Sequence, residues 1–339
     1  MIRIVIDSHY HLHYKKGREN RMKKITYKWL AFAAVLTLML ALAACGGKDK
    51  EKEEKSEGSS SSYKVEHAMG TTEVKENKRV VVLTNEGTEA VLALGVKPVG
   101  AVKSWLGDPW YDHIKDDMKG VEVVGDESTV NVEKIAALKP DLIIGNKQRQ
   151  EKQYDELNKI APTVFAEELR GDWKINFELY AKALDKEEKG KEVLAAFDKR
   201  IEDMKKEAAD QLQTEVSVVR FLPGTSRIYH KDSFSGVILD QIGFARPGDQ
   251  NNDDFMEEVT QERIPDMNGD ILFYFTYEEG DGKATDTEKE WTGNPLWKNL
   301  EVVKADKAYK VSDAIWNTAG GVKAANLMLD DLEKYFLKK

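Results

Sequence analysis

The sequence predicts an α/β protein made of two similar lobes joined by one long helix, on three observations. VNVEKIAALKPDLII (130–144) returns as VTQERIPDMNGDILF (259–273) in register and without a gap. Val, Glu, a basic residue, Ile, a large apolar residue, Asp and a closing apolar run coincide. Each copy reads as a short helix, a Pro or Gly turn and a buried strand, which is half of a βαβ unit. A looser pair, 80–102 and 216–247, gives strand, loop, helix, Gly and a next strand in both places. Between the copies, Val193, Leu194, Phe197, Ile201, Met204, Ala208 and Leu212 recur at spacings of three and four, an amphipathic helix. Asp185 with Glu188 three residues on reads as an acidic capping box, so the helix is expected from near Lys186 to about Gln211. At ~1.5 Å per residue, such a helix of roughly 26 residues is on the order of 39 Å long, enough to tie two domains together.

Composition agrees. The chain of 339 residues, 41% hydrophobic and 33% charged, is long enough for two ordinary domains. One cysteine excludes an internal disulfide. The net charge is -9, yet the first 44 residues hold eight Lys or Arg against two Asp or Glu, so the remainder carries -15. That argues against a nucleic-acid partner, which needs a basic face.

In chain order, residues 1–21 contain DSHYHLH (7–13), an echo of the D-x-H-x-H metal motif of barrel hydrolases. The plainer reading is upstream sequence translated from a start codon set too early. The remaining histidines are only His67, His113 and His230, and an export signal follows. That signal (22–44) has Lys23, Lys24 and Lys28 as its basic end and an uncharged run over 29–44. Sixteen residues fall short of the ~20 that a spanning helix needs. A simple membrane anchor or an ordinary cleaved signal would fit the run, but LAAC (42–45) resembles a bacterial lipobox, which implies lipidation of Cys45 and attachment to the outer face of the cytoplasmic membrane. The tether over 45–62, charged and then serine-rich, cannot bury a core. The lobes are expected over 63–172 and 214–339, with a connecting helical segment over 173–213.

YKVEHAMGTTEV (63–74) alternates around Gly70 like a small hairpin, and KRVVVL (78–83) enters the first lobe. Together with LALGVKPVG (92–100), NVEKIAALKPDLII (131–144), the long helix and WNTAGGVKAA (316–325), these stretches resemble the iron-siderophore binding lipoproteins that feed ABC importers, the class III periplasmic-binding-protein family. The resemblance covers nearly everything after Tyr63. KSWLGDPWYDHIKDD (103–117), NKQRQEKQYDELNKIAPTV (146–164) and TSRIYHKDSFSGVILDQIGF (225–244) are most similar to the Bacillus-type branch for citrate-hydroxamate siderophores such as schizokinen or arthrobactin. The resemblance implies two Rossmann-like lobes bridged by one α-helix, a cleft between them, a monomer, and capture and delivery with small closure.

A ferric siderophore satisfies its iron with its own oxygens, so neither a protein metal ligand nor a cofactor is expected. The protein must supply cationic donors for ligand oxygens and aromatic walls for its arms, on loops that follow strands. Those positions hold Arg149, Arg220, Arg227 and Tyr229, then Trp105, Tyr274, Trp316 and Asn317, with Lys103 and Lys147 as weaker candidates. A loop Arg is more often a solvated charge and a lone Trp more often packing. Recurrence at matching positions in both lobes, and the family's use of Arg, Tyr and Trp there, favour the ligand role.

Glu133 and Glu262 each fall two residues after an expected N-cap, Asn131 and Thr260, where a carboxylate suits the helix dipole. The resemblance adds docking of one such glutamate per lobe onto the permease. An exported enzyme would need a nucleophile with its base or a metal cluster, and the mature chain offers scattered histidines and SSYK (61–64), an S-x-x-K only in letters. The same fold could instead bind haem, with Tyr229 or Tyr274 as an axial ligand. A bare metal ion would ask for a His and carboxylate cluster that the spacing does not provide.

Overall fold

A computed structural model describes residues 62–169 and 171–337. Cys45, the segment 1–21, the signal run and the tether up to residue 61 lie outside the described residues. Strands β1 (Tyr63–His67) and β2 (Gly70–Val74) form the expected antiparallel hairpin, turning at Gly70 with its φ of +121°.

The first lobe is a parallel sheet in the order β5-β4-β3-β6-β7, built from β3 (Val80–Val82), β4 (Gly100–Ala101), β5 (Glu122–Val123), β6 (Leu142–Asn146) and β7 (Thr163–Ala166). Helices α1 (Asn85–Ala93), α2 (Val132–Ala137), α3 (Lys147–Gln150) and α4 (Tyr154–Ile160) connect them. Two helices follow, α5 (Trp173–Ala183) and α6 (Glu187–Glu207). The second lobe has the order β10-β9-β8-β11-β12, from β8 (Val216–Leu222), β9 (Thr225–Tyr229), β10 (Met256–Val259), β11 (Ile271–Thr276) and β12 (Ala308–Lys310). Its helices are α7 (Phe234–Ile242), α8 (Lys283–Gly293), α9 (Pro295–Lys298), α10 (Glu301–Lys304) and the C-terminal α11 (Val322–Phe336).

The sequence repeat is a structural one. Leu142 pairs with Val80 as Ile271 pairs with Val216, so each repeated strand starts level with the first strand of its own lobe. Buried on both faces, these strands read as apolar runs without alternation, and their two faces enter different cores. Val80, Val82, Leu142 and Ile144 share one continuous cluster with Val216, Val218, Phe273 and Phe275, packed around α5, α6 and α11. The opposite faces have their own clusters: Val81, Leu83 and Ile143 in the first lobe, and Val219, Phe221 and Leu272 in the second. One core therefore runs through both lobes.

Three expectations need correction. The connecting helix has 21 residues, on the order of 31 Å, and closes in a 3-10 turn over Ala209–Gln211. Asp185 does not cap its start: with φ +54° it ends α5, its N–H donating to Lys182 O and that of Lys186 to Ala181 O, the left-handed pattern that closes helices. In the second lobe, 225–229 is a strand where a loop was expected. The hairpin β8–β9 and antiparallel β10 take the place that β4 and β5 occupy in the first lobe.

The long helix is not the lobes' sole tie. Helix α11 docks on α1: buried Glu89 accepts from Ala324 N–H (2.8 Å) and bonds His113, while Lys323 pairs with Asp117 (2.8 Å). Arg200 of α6 reaches Asn326, Asp330 and Glu333 on α11.

Candidate ligand-binding cleft

At the carboxyl ends of both sheets lies a cavity of about 320 Å³, where open α/β sheets receive ligands. A larger groove of about 620 Å³ between α5 and α6 is lined by outer helix faces and charged side-chain tips such as Lys174 and Lys191, a poorer setting for an oriented ligand.

The second lobe supplies a wall of strand residues. Arg220 on β8 stands directly opposite Arg227 on β9, and paired positions project to the same side of the sheet. Two like charges in that position repel, so each needs neutralising. Arg220, 6% exposed, forms a fork with Asp313 (Nε to Oδ2 2.6 Å, Nη2 to Oδ1 3.2 Å), and its Nη1 donates to Tyr229 OH at 3.2 Å. Burial would pull the guanidinium pKa down, but Asp313 and Tyr229 outweigh it and hold the pKa above the ordinary value. Three of its five N–H groups are thereby used and two remain. Arg220 also lies 4.7 Å from the Tyr277 ring centre. Arg227 makes only a long contact with Glu258 (3.4 Å), and its Nε has no partner. Phe255 packs edge-on against Tyr229 at 5.6 Å and fixes its ring.

The first lobe supplies a wall of loops and helix starts. Buried Glu127 accepts from Asn85 N–H (2.6 Å) and Asn85 Nδ2 (2.7 Å) and lies 3.6 Å from Arg149. Desolvation raises its pKa, partly opposed by Asn85 and Arg149. The Arg149 guanidinium sits 5.8 Å from the centre of the Trp105 ring, a cation–π distance. Glu86 completes this wall. The cleft is closed by Asn317 to Gly320, which run out of the end of a π-turn over Ala314–Thr318, a local distortion that recurs at functional sites.

The periplasmic binding protein family model matches residues 80–314. The chain belongs to that family. It is 58% identical over 313 residues to a probable siderophore-binding lipoprotein, YfiY, of Bacillus subtilis (strain 168), covering 89% of this chain and 96% of the relative. It is 32% identical to the Fe(3+)-citrate-binding protein YfmC of the same organism, over 94% of this chain and all of the relative. Among solved structures, Staphylococcus aureus SirA complexed with staphyloferrin B aligns with a TM-score of 0.74 at 38% identity, over 80% of this chain and 97% of SirA. This periplasmic binding protein thus resembles in fold a solved protein that is complexed with staphyloferrin B.

Of the residues singled out in the sequence, Trp105, Arg149, Arg220, Arg227, Tyr229 and Asn317 line the cavity. Arg227 and Tyr229 do so from a strand, not from a loop. Two others are elsewhere. Tyr274 falls on the outer face of β11, because the strand runs to Thr276 and its period of two puts Tyr274 beside Leu272; its ring packs on Phe221 (5.8 Å) and Trp297 (5.6 Å). Trp316 is fully buried, its ring tilted against Phe273 at 4.5 Å and its indole N–H donating to Asp331 at 2.9 Å. Lys103 is exposed beside the cleft, and Lys147 pairs with Glu167 at 2.6 Å.

Among the residues at the site that escaped the sequence reading are Glu86, Glu127, Tyr277 and Asp313, the last through its fork with Arg220. Tyr277 was within reach, since carrying the alternation of β11 to its end puts the first post-strand aromatic at 277. Glu133 and Glu262 are both exposed at equivalent places. Asn131 caps α2 by accepting from Lys134 N–H (2.9 Å), which leaves Glu133 in its first turn. Glu262 opens a 3-10 turn, and hydrogen bonds from the Thr260 side chain and its own N–H hold its pKa low. Among the described residues, no group of three or more His, Cys, Asp or Glu is arranged to hold a metal ion, and no helix is long and apolar enough to cross a membrane.

Proposed function

We propose that this chain is an extracytoplasmic substrate-binding lipoprotein that captures a ferric siderophore of citrate-hydroxamate type and delivers it to an ABC permease. The observation that carries the ligand class is the wall formed by Arg220, Arg227 and Tyr229 facing Trp105 and Arg149 across the cavity. It offers charged N–H donors to chelate oxygens and an aromatic face to the ligand's arms. The likeness to YfiY, and a further relative named for ferric citrate, point the same way. The iron arrives coordinated by the chelator, so the protein acts as a receptor of a preformed complex and carries out no reaction.

Delivery follows from the ties between the lobes. With one core running through both and α11 latched onto α1, opening and closing are small, and affinity rests on preorganised contacts. Glu133 and Glu262, exposed one per lobe, serve as the acidic contacts for the permease, and lipidation at Cys45 keeps the monomeric receptor at the outer face of the membrane. Tryptophan-fluorescence titration tests the ligand class, because Trp105 lines the cavity. Ferric schizokinen should quench saturably at submicromolar concentration, ahead of tris-hydroxamate and catecholate chelates. Quenching by haem alone would keep the fold and remove the proposed ligand.

A further inference from the structure

Glu86 has no role in the recognition described so far, yet it lines the cavity at the start of α1. The residue is 6% exposed and its Oε1 has no hydrogen-bond partner. Its surroundings oppose a negative charge. Glu89 stands on its own helix, Glu127 faces it from the loop after β5, and the Asn176 amide and Tyr180 ring approach from α5. Of the arginines that share the cavity, Arg149 is paired with Glu127 and Arg220 with Asp313, and none offsets the burial of Glu86. Desolvation, then the Glu127 and Glu89 charges, push its pKa well above the ordinary carboxyl value against the opposing Asn176 amide. A neutral carboxyl in this position carries an O–H, and a buried donor left without an acceptor is unfavourable.

We propose that Glu86 is a specificity-determining residue whose carboxyl O–H donates a hydrogen bond to an oxygen of the bound ferric chelate. The cleft then recognises its ligand in two ways, by guanidinium donors from the second lobe and by one uncharged donor from the first. A ligand presenting an acceptor oxygen to the first lobe satisfies the buried donor. One presenting an N–H or an ammonium there does not. The assignment rests on the siderophore reading above for the ligand, but the protonation of Glu86 stands on the ligand-free protein.

Ferric schizokinen is the probe, titrated against the full chain in detergent from mildly acid to mildly alkaline pH. Wild-type affinity should fall as Glu86 ionises. E86M, which removes the donor, should bind about tenfold more weakly than wild type at mildly acid pH, the size of one such hydrogen bond, with the gap closing as wild type ionises. E86Q keeps an N–H donor that cannot ionise, and should restore the affinity that E86M loses while flattening the pH profile. E86Q as weak as E86M would mean that an uncharged donor at this position does not make the contact, and would overturn the proposal. Equal affinity in all three proteins would remove the contact. Infrared difference spectra of ligand-free wild type against E86Q give the second readout. A protonated-carboxyl band at neutral pH, absent from E86Q, is expected, and its absence from wild type overturns the neutral acid. If wild type binds no ferric siderophore, the functional reading and the chelate contact fall together, while the infrared band still decides the state of Glu86.

Discussion

The two lobes share a repeated strand in the same register, yet they build opposite kinds of wall. In the second lobe the cleft residues stand on a hairpin, with Arg220 and Arg227 as cross-strand neighbours and Tyr229 two residues along. In the first lobe they stand on a helix start and on loops: Glu86, Trp105, Glu127 and Arg149. The inserted strand β9 makes the difference. It converts a loop, whose side chains could settle in several ways, into a strand that fixes two cationic side chains on one face. Two of the three arginines that line the cavity sit on the strand wall, and both of its glutamates, Glu86 and Glu127, sit on the other, so the lobes contribute unequally to binding.

The strongest way to break this asymmetry is to unpair the buried charges of the second lobe. Arg220→Ala or Asp313→Ala should each cost about 3–5 kcal/mol of stability in urea denaturation, because the partner is left buried and charged. The double change to apolar residues should cost much less. If each single change is harmless, Arg220 and Asp313 are not the desolvated pair of this fold. Trp316→Ala should be about as damaging, at roughly 3–5 kcal/mol for a fully buried Trp, with ligand affinity in the surviving folded fraction unchanged. Trp105→Ala should do the reverse, weakening the ligand with little change in the urea midpoint.

Arg227→Ala should reduce affinity by about 10–100-fold, the size of a charged hydrogen bond, and leave stability nearly as it was. Arg149→Ala should have the smaller effect of the two on affinity, since Arg149 is already occupied by Glu127 and Trp105. The reverse order would place the main cationic contact in the first lobe and undo the comparison.

A pH experiment sharpens it on the second lobe's outer layer. The Glu278 carboxylate accepts from Thr285 N–H (2.9 Å), Gly282 N–H (2.9 Å), Thr285 Oγ1 (2.8 Å) and Gly280 N–H (2.8 Å) at the start of α8. These bonds, Thr285 N–H first, pull its pKa down from 4.5 to about 2. A depressed folded-state value means that its stabilisation is present above pH 4.5 and is lost as the pH falls towards about 2. Wild type should therefore melt above Glu278→Gln at neutral pH, with the gap closing in acid. A gap independent of pH would refute the cap. The smallest effect is expected between the lobes, where Asp185→Gly should stabilise by about 0.5–1 kcal/mol by relieving its left-handed conformation.

The lobes were legible because the repeat ends in strands, whose apolar runs and preceding Asp survive as sequence. The cleft was legible at Arg149 and Trp105, a cationic and an aromatic residue a few positions past the ends of β6 and β4. It was illegible in two kinds of place. Tyr274 and Trp316 share their chemistry with true cleft residues, and only the strand's period and the π-turn send them into the cores instead. Glu86, Glu127 and Asp313 are acidic residues in a cleft expected to be cationic, and their role is to neutralise or complement guanidiniums that are distant in sequence. Asp313 lies 93 residues from Arg220, a pairing that no local pattern announces. The left-handed Asp185 was hidden for a related reason, since the same residue suits the end of one helix as well as the start of the next.

In the proposed function the ferric chelate sits between the cationic hairpin and the Trp105 loop. Anomalous scattering at the iron absorption edge, from crystals of the chain grown with ferric schizokinen, tests it most directly. A single iron peak inside the cavity bounded by Arg220, Arg227, Tyr229 and Trp105 is the predicted result. A peak in the groove between α5 and α6, or no ordered iron at saturating ligand, would contradict it.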